Sequence, residues 1–143
     1  MPRLDVTPDF SFDLIAILSS AKPHKLAWSI NKNLHLFLQR QPDIELAFGT
    51  DNSIFFINFL HRTDHILFRL IRNKSIESKE ANIGYLLPEL TQYDYLLLID
   101  DQTSVYKHDF LKKVLGKIGL IEHQLIVDPH TLKNKENLLF FQE

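Results

Sequence analysis

Four carboxylates in the second half of the chain have the types and spacing to do chemistry. Glu89 and Asp94 lie five residues apart across a turn, and Asp100 and Asp101 directly follow an apolar segment. If Glu89 and Asp94 converge, they form an acid–base pair or part of a metal site. The alternative is structural: Pro88 and Glu89 shape the loop through turn geometry, while Asp94 caps a backbone group or pairs with a lysine.

Asp100 and Asp101 are open to two interpretations. Many α/β proteins bind ligands or magnesium just beyond the C-terminal end of a strand, where these two carboxylates lie. The segment Asp-Asp-Gln-Thr-Ser before a helix is also typical of a turn and an N-cap, in which side-chain oxygens accept hydrogen bonds from free amides. The catalytic hypothesis is a metal-dependent hydrolase that uses Glu89, Asp94, Asp100 and Asp101.

A second metal candidate is a hairpin loop in which His61 and His65 flank a segment that contains Asp64. Two histidines and one carboxylate form the donor set of open iron or zinc sites. The spacing is equally typical of solvated hairpin histidines whose rings diverge. The chain has no cysteine and only four glycines, and it contains no phosphate-binding or dinucleotide-binding loop. We therefore predict no cofactor and assign no catalytic residue.

Lysines and apolar residues offer surfaces for binding. A lysine-rich helix face indicates RNA binding or, alternatively, the ordinary solvent side of an amphipathic helix. The lysines of this face are Lys107, Lys112, Lys113 and Lys117.

Trp28, the only tryptophan, lies at the edge of an apolar helical stripe and is a candidate contact for a protein partner. The apolar terminus is predicted to dock on the domain, a second copy or a partner. Its residues are Leu138, Leu139, Phe140 and Phe141.

The elements that must position these residues follow from apolar periodicity. Alternation predicts strands over 10–18, 44–48, 54–60, 66–71, 95–99 and 121–127. Helical spacing predicts one helix from Pro23 to Phe37 or Leu38 and another from Phe110 to Ile118. The order β-α-β-β-β-β-α-β predicts a two-layer α+β domain, with two helices packed on a mostly antiparallel sheet of about six strands.

The predicted domain spans residues 1–143, with 129–143 as a C-terminal tail that docks on the body or on a partner. The middle strands are apolar on both faces, and two helices cover only part of such a sheet. We therefore expect a second cover for one sheet face, which a homodimer would supply.

Composition limits the compartment and the partners. The formal net charge is −2, from 16 basic and 18 acidic residues, so there is no global field that attracts nucleic acid or an anionic membrane. No apolar run approaches the ~20 residues of a membrane helix. Asp5, Asp9 and Asp13 interrupt every run that would serve as a signal-peptide core. We predict a soluble, cytoplasmic protein that does not bind membranes.

The segments Leu87-Pro88-Glu89 and Asp94-Tyr95 resemble the signature of the IPExxVDY family, a group of small bacterial proteins named after that motif. Leu87 stands for the isoleucine of the name and Tyr93 for its valine. The resemblance implies a small cytosolic bacterial protein and marks a candidate surface, but it carries over no catalytic residue. The residues of this surface are Pro88, Glu89, Asp94 and Tyr95.

The sequence favours a non-catalytic protein-interaction module that binds another protein or a second copy of itself. The alternatives are an RNA-associated factor that uses the lysine-rich helix face and the metal-dependent hydrolase described above.

Overall fold

The computed structural model describes residues 11–48, 52–76 and 84–142. Its strands and helices are β1 (Asp13–Leu18), α1 (Pro23–Leu34), β2 (Gln39–Arg40), β3 (Ile44–Phe48), β4 (Asn52–Phe56), β5 (Asn58–Arg62), β6 (Ile66–Arg72), β7 (Tyr95–Asp101), α2 (His108–Gly116) and β8 (His123–Val127). Three 3-10 helices span Pro88–Leu90, Pro129–Thr131 and Lys135–Gln142. Six strands form one antiparallel sheet in the order β2-β5-β6-β7-β1-β8, and β3 pairs with β4 as a separate hairpin. The predicted α+β class is confirmed.

Strand β7 lies in the middle of the sheet because its side chains are apolar on both faces. Leu97 is opposite Ile15 of β1 and Leu70 of β6. Residues 95–99 are all buried, as expected of a central strand.

The two helices pack side by side on one face of the sheet and form the first core. From α1, Leu26, Ile30 and Leu34 are buried there, and Leu111 and Leu115 are buried from α2. These spacings of three and four residues place the apolar side chains on one side of each helix. Both helices therefore turn their polar sides away from the sheet, toward solvent.

The opposite face of the sheet is covered by the chain itself. Ile54 and Phe56 of the β3–β4 hairpin, Leu87 of the following loop, and Leu132 and Leu138 of the C-terminal tail pack against it as a second core. The predicted two-layer arrangement thus gains a third, largely irregular layer. Within the described ranges, the chain itself covers both faces of the sheet, so a homodimer is not needed as the second cover.

One predicted strand is interrupted and one predicted helix is shorter than expected. Other bounds also shift: β1 begins at Asp13, α2 spans His108–Gly116, β8 begins at His123, and the short strand β2 was not predicted. The strand predicted over 54–60 breaks at Ile57, because Phe56 packs in the second core and Phe59 in the first. Helix α1 ends at Leu34, and the side-chain amide of Asn31 then donates to the carbonyl oxygen of Leu38 and accepts from its N–H. Within the described ranges, no helix has the length and apolar character needed to cross a membrane.

Candidate functional site

Glu89 and Asp94 do not act on a common point. An Oε2 oxygen of Glu89 accepts a hydrogen bond from the backbone N–H of Asn134 at 2.8 Å. Asp94 Oδ2 accepts one from the backbone N–H of Ser19 at 2.9 Å. One carboxylate therefore holds the C-terminal tail and the other holds the end of β1, which matches the structural interpretation.

Asp101 organises the turn between β7 and α2. Its Oδ1 accepts hydrogen bonds from the N–H and the hydroxyl of Thr103, and its Oδ2 accepts one from the N–H of Tyr106 at 2.7 Å. Partial burial alone raises the pKa of this carboxyl, but the hydrogen bonds from Thr103, Tyr106 and Ser104 outweigh it and hold the pKa below its ordinary value. Asp100 is exposed and lines a cavity of about 250 Å³, whereas Asp101 lines another cavity.

The histidines of the β5–β6 hairpin do not form a metal site. The Nδ1 atom of His61 accepts a hydrogen bond from the backbone N–H of Phe37 at 2.9 Å. Burial lowers the pKa of His61, so its ring favours the neutral form that this bond requires. His65 and Asp64 are exposed at the turn. Across the described ranges, no three His, Cys, Asp or Glu side chains are grouped closely enough to hold a metal ion.

The loop that carries Pro88 and Glu89 is organised by Asn73, a residue that the sequence pattern did not single out. Asn73 is fully buried. Its Nδ2 donates to the carbonyl oxygens of Leu90 and Tyr93, at 3.0 and 3.2 Å, and its Oδ1 accepts from the N–H of Leu87 at 2.9 Å. An isolated asparagine gives no sequence signal for such a role, because the partners lie 14 to 20 residues away.

His108 and Asp13 form a pair that sequence reasoning also missed. His108 Nε2 lies 2.8 Å from Asp13 Oδ1, although the residues are 95 positions apart. The pair lies between two cavities, of about 390 and 450 Å³, and joins the first residue of α2 to the first residue of β1. A histidine oriented by a carboxylate is the arrangement of a general base. Both side chains are substantially exposed, so the pair is equally an ordinary surface ion pair.

The solvent-facing surface of α1 and α2, with the lysines at their ends, is rich in lysine. We call it the helix face. Seven of the 16 basic residues of the chain lie there, and all seven are exposed. The seven are Lys22, Lys25, Lys32, Lys107, Lys112, Lys113 and Lys117. Of the 18 acidic residues of the chain, only Asp109 lies within residues 22–35 and 107–117, the segments that contain these lysines. At the start of α2, Asp13 and Asp101 of the neighbouring strands line a cavity together with Lys107.

Exposed aromatic residues lie among these lysines. Trp28 is 63% exposed, and the ammonium of Lys32 lies 5.2 Å from the centroid of its ring. Phe110 of α2 is 44% exposed. Of the seven lysines, sequence reasoning identified the four in and beside α2. It missed the contribution of α1, because only the fold places the two helices side by side.

The apolar terminus is part of the domain. Leu138 is completely buried in the second core, so its side chain contacts the chain itself rather than a partner. The side chains of Leu139, Phe140 and Phe141 lie outside the described part of the structure. Of the predicted protein-binding residues, Trp28 is the one that the structure leaves at the surface.

Pro88 and Tyr95, the other two residues of the candidate surface named from the motif, also have structural roles. Pro88 begins a 3-10 helix. The hydroxyl of Tyr95 donates a hydrogen bond to the carbonyl oxygen of Ala21 at 2.6 Å. Three residues separate Glu89 from Tyr93. The motif IPExxVDY has two residues between its glutamate and its valine, so this chain has one extra residue between the two halves of the motif.

Comparisons with protein-family models, with curated proteins and with solved structures find no match to this chain. The resemblance to the IPExxVDY family therefore stays a prediction.

Proposed function

We propose that the protein is a non-catalytic, RNA-associated factor that binds through the helix face. The observation that carries this proposal is charge segregation: the segments of α1 and α2 carry seven exposed lysines and one acidic residue, in a chain whose net charge is −2. Asp13 and Asp101 adjoin this surface only at the start of α2, beside Lys107. Phosphate groups are the partners that such a surface attracts, and binding releases their condensed counterions. The rest of the chain carries nine basic and 17 acidic residues, which orients an approaching polyanion toward the helices.

The contacts elsewhere support this choice over a catalytic role. Glu89, Asp94 and Asp101 each hold a different backbone segment. A hydrolase needs such carboxylates to act on one point, with room for a substrate or a metal ion between them. The lysines of the helix face have no comparable structural task, because their side chains are exposed to solvent.

The test is the binding of a fluorescently labelled RNA, followed by anisotropy. If about four phosphates are neutralised, the affinity for a single strand falls about 50-fold between 50 and 200 mM salt. Replacing Lys112 and Lys113 together with glutamate lowers the affinity by at least about 10-fold. Lys133→Glu is the matched control, because Lys133 is exposed but lies in the tail that packs on the opposite face of the sheet.

Salt-insensitive binding, or equal losses in the helix-face variant and the Lys133→Glu control, overturns the proposal. Circular dichroism and thermal unfolding of each variant ensure that only folded proteins are compared.

A second candidate function is protein binding, and the exposure of Trp28 is the observation that favours it. An exposed tryptophan ringed by polar residues is typical of an interaction hot spot. Lysine, however, is depleted at protein interfaces, and Trp28 lies between two lysines on α1. A protein partner would therefore need an acidic surface. Its binding would be lost in Trp28→Ala and would survive nuclease treatment.

A further inference from the structure

Both helices carry an exposed aromatic residue with lysines near it in the sequence. On α1, Trp28 has Lys25 three residues before it and Lys32 four residues after it. Phe110 of α2 has Lys113 three residues after it, and Lys107, three residues before it, directly precedes the helix. Residues three or four apart are neighbours on a helix surface, separated by about one 5.4 Å turn. Helix α1 thus presents an exposed aromatic ring with an ammonium group on either side along its axis. On α2 helical spacing places only Lys113 beside the ring, because Lys107 is the extended residue that precedes the helix.

On α1, the lysine and the aromatic ring are already in contact at the surface. The Lys32 ammonium lies 5.2 Å from the centre of the Trp28 ring, and the indole is 63% exposed. No carboxylate occurs anywhere from Lys22 to His35. The lysines of α1 are therefore not neutralised by acidic neighbours on their own helix.

We infer that the helix face selects single-stranded RNA, with an unpaired base stacked on Trp28 and the flanking phosphates bound by Lys25 and Lys32. This inference rests on the proposed function. A base that stacks on the face of the indole covered by Lys32 displaces the Lys32 ammonium, which can then reach the adjacent phosphate. Phe110, between Lys107 and Lys113, provides a second stacking position on the neighbouring helix. Lysines that track the backbone, with aromatic rings between them, are the arrangement by which proteins hold single strands.

The specificity follows from the geometry of nucleic acids. In a duplex, each base is stacked between its neighbours and its flat face is not available to a side chain. A single strand or a loop exposes that face. Lysine contacts alone would bind both forms, so a preference for single strands measures the contribution of the aromatic rings.

The test uses Trp28 as its own probe, because it is the only tryptophan in the chain. The full-length protein is titrated with a single-stranded RNA dodecamer and with the corresponding duplex, while indole emission and anisotropy are recorded. We expect the single strand to quench the emission and to bind about 10-fold more tightly than the duplex, which leaves the emission unchanged.

Three variants separate stacking from charge. Trp28→Ala is expected to lower single-strand affinity about 10-fold, and Trp28→Phe to restore most of it. The matched control is Phe37→Ala. Phe37 is 66% exposed just beyond α1. It has no lysine three or four residues before or after it, and Arg40, three residues after it, is paired with Asp43 at 2.8 Å. This control is expected to bind as the parent does.

The outcomes distinguish this inference from the proposed function. Equal affinity for single strand and duplex without a change in emission overturns the stacking inference and leaves phosphate binding by the lysines intact. Unchanged binding by Trp28→Ala has the same meaning. Absence of binding to either RNA overturns both proposals.

Discussion

The hydroxyl of Tyr95, in the central strand, donates a 2.6 Å hydrogen bond to the carbonyl oxygen of Ala21, just before helix α1. The preceding residue, Asp94, accepts a hydrogen bond from the backbone N–H of Ser19. Two adjacent residues of the conspicuous sequence motif therefore fix the connection from β1 to α1. Their role is to set the position of the helix that carries Trp28.

The hydroxyl of Tyr95 makes the free energy of unfolding depend on pH in the alkaline range. Burial raises the pKa of Tyr95 from 10.0 to about 12. Between these values the unfolded chain has lost the proton and the folded protein keeps it, so the free energy of unfolding falls as pH rises from 10 to 12. Solvent screening reduces the contribution of this shift, and the expected loss is about 1–2 kcal/mol. Tyr95→Phe is expected to be about 1 kcal/mol less stable at pH 7 and to lack this alkaline loss.

Urea unfolding of both proteins at several pH values measures the difference. Other tyrosines contribute equally to the two curves, so the difference isolates Tyr95. Parallel curves up to pH 12 would contradict the buried hydrogen bond.

Asn73 is expected to be one of the most sensitive polar positions in the protein. Asn73→Leu removes the side-chain partner of the Tyr93 carbonyl and of the Leu87 N–H in a buried loop, while the Leu90 carbonyl keeps its bond from the N–H of Tyr93. We expect a loss of about 3 kcal/mol in urea unfolding. Asn33→Ala is the matched control, since Asn33 makes one exposed side-chain hydrogen bond on α1, and it should cost less than about 0.5 kcal/mol. Similar losses in the two variants would refute the proposed role of Asn73.

The carboxylates of the motif are expected to affect stability and not metal binding. Asp94→Ala removes the acceptor for Ser19 and should cost about 1 kcal/mol, while Asp94→Asn keeps an acceptor oxygen and should cost less. Addition of Mg²⁺ or Zn²⁺ should leave the Tm of the parent and of both variants unchanged. A metal-dependent rise in the Tm of the parent that disappears in Asp94→Asn would revive the hydrolase hypothesis.

His61 is expected to make the protein less stable in mild acid. Burial lowers its pKa below the ordinary 6.5, so the unfolded chain binds the proton more readily than the folded protein. The contribution of His61 is therefore complete above pH 6.5 and is lost as pH falls below it. His61→Asn keeps an acceptor for the Phe37 N–H without titrating, and thermal unfolding should show a smaller loss from pH 7.5 to 5.5. Identical pH profiles would rule this out.

Much of the fold was predictable, because apolar periodicity reflects which side of each element is buried. The α2 stripe through Leu111 and Leu115 and the run of buried residues in β7 are examples. The break at Ile57 was not predictable, since the residues on both sides of it are apolar and only the fold assigns Phe56 and Phe59 to different cores. The cover of the second sheet face depends on loops and the tail, which have no regular period.

The candidate site was predictable only in part. The lysines of α2 lie together in the sequence, so one helix suffices to identify them. The lysines of α1 join them through contacts between the two helices, and the sequence alone does not specify that packing. The pair formed by Asp13 and His108 also depends on the fold, because 95 positions separate its members.

Affinity capture of the tagged protein at its native expression level, with and without nuclease, tests the central claim most directly. The captured material is analysed for RNA and protein, with the Lys112→Glu, Lys113→Glu double variant beside the parent. We predict that RNA is recovered with the parent and is lost after nuclease treatment and in the double variant. A protein partner that survives nuclease and binds both forms equally, with no RNA recovered, would contradict RNA binding through the helix face.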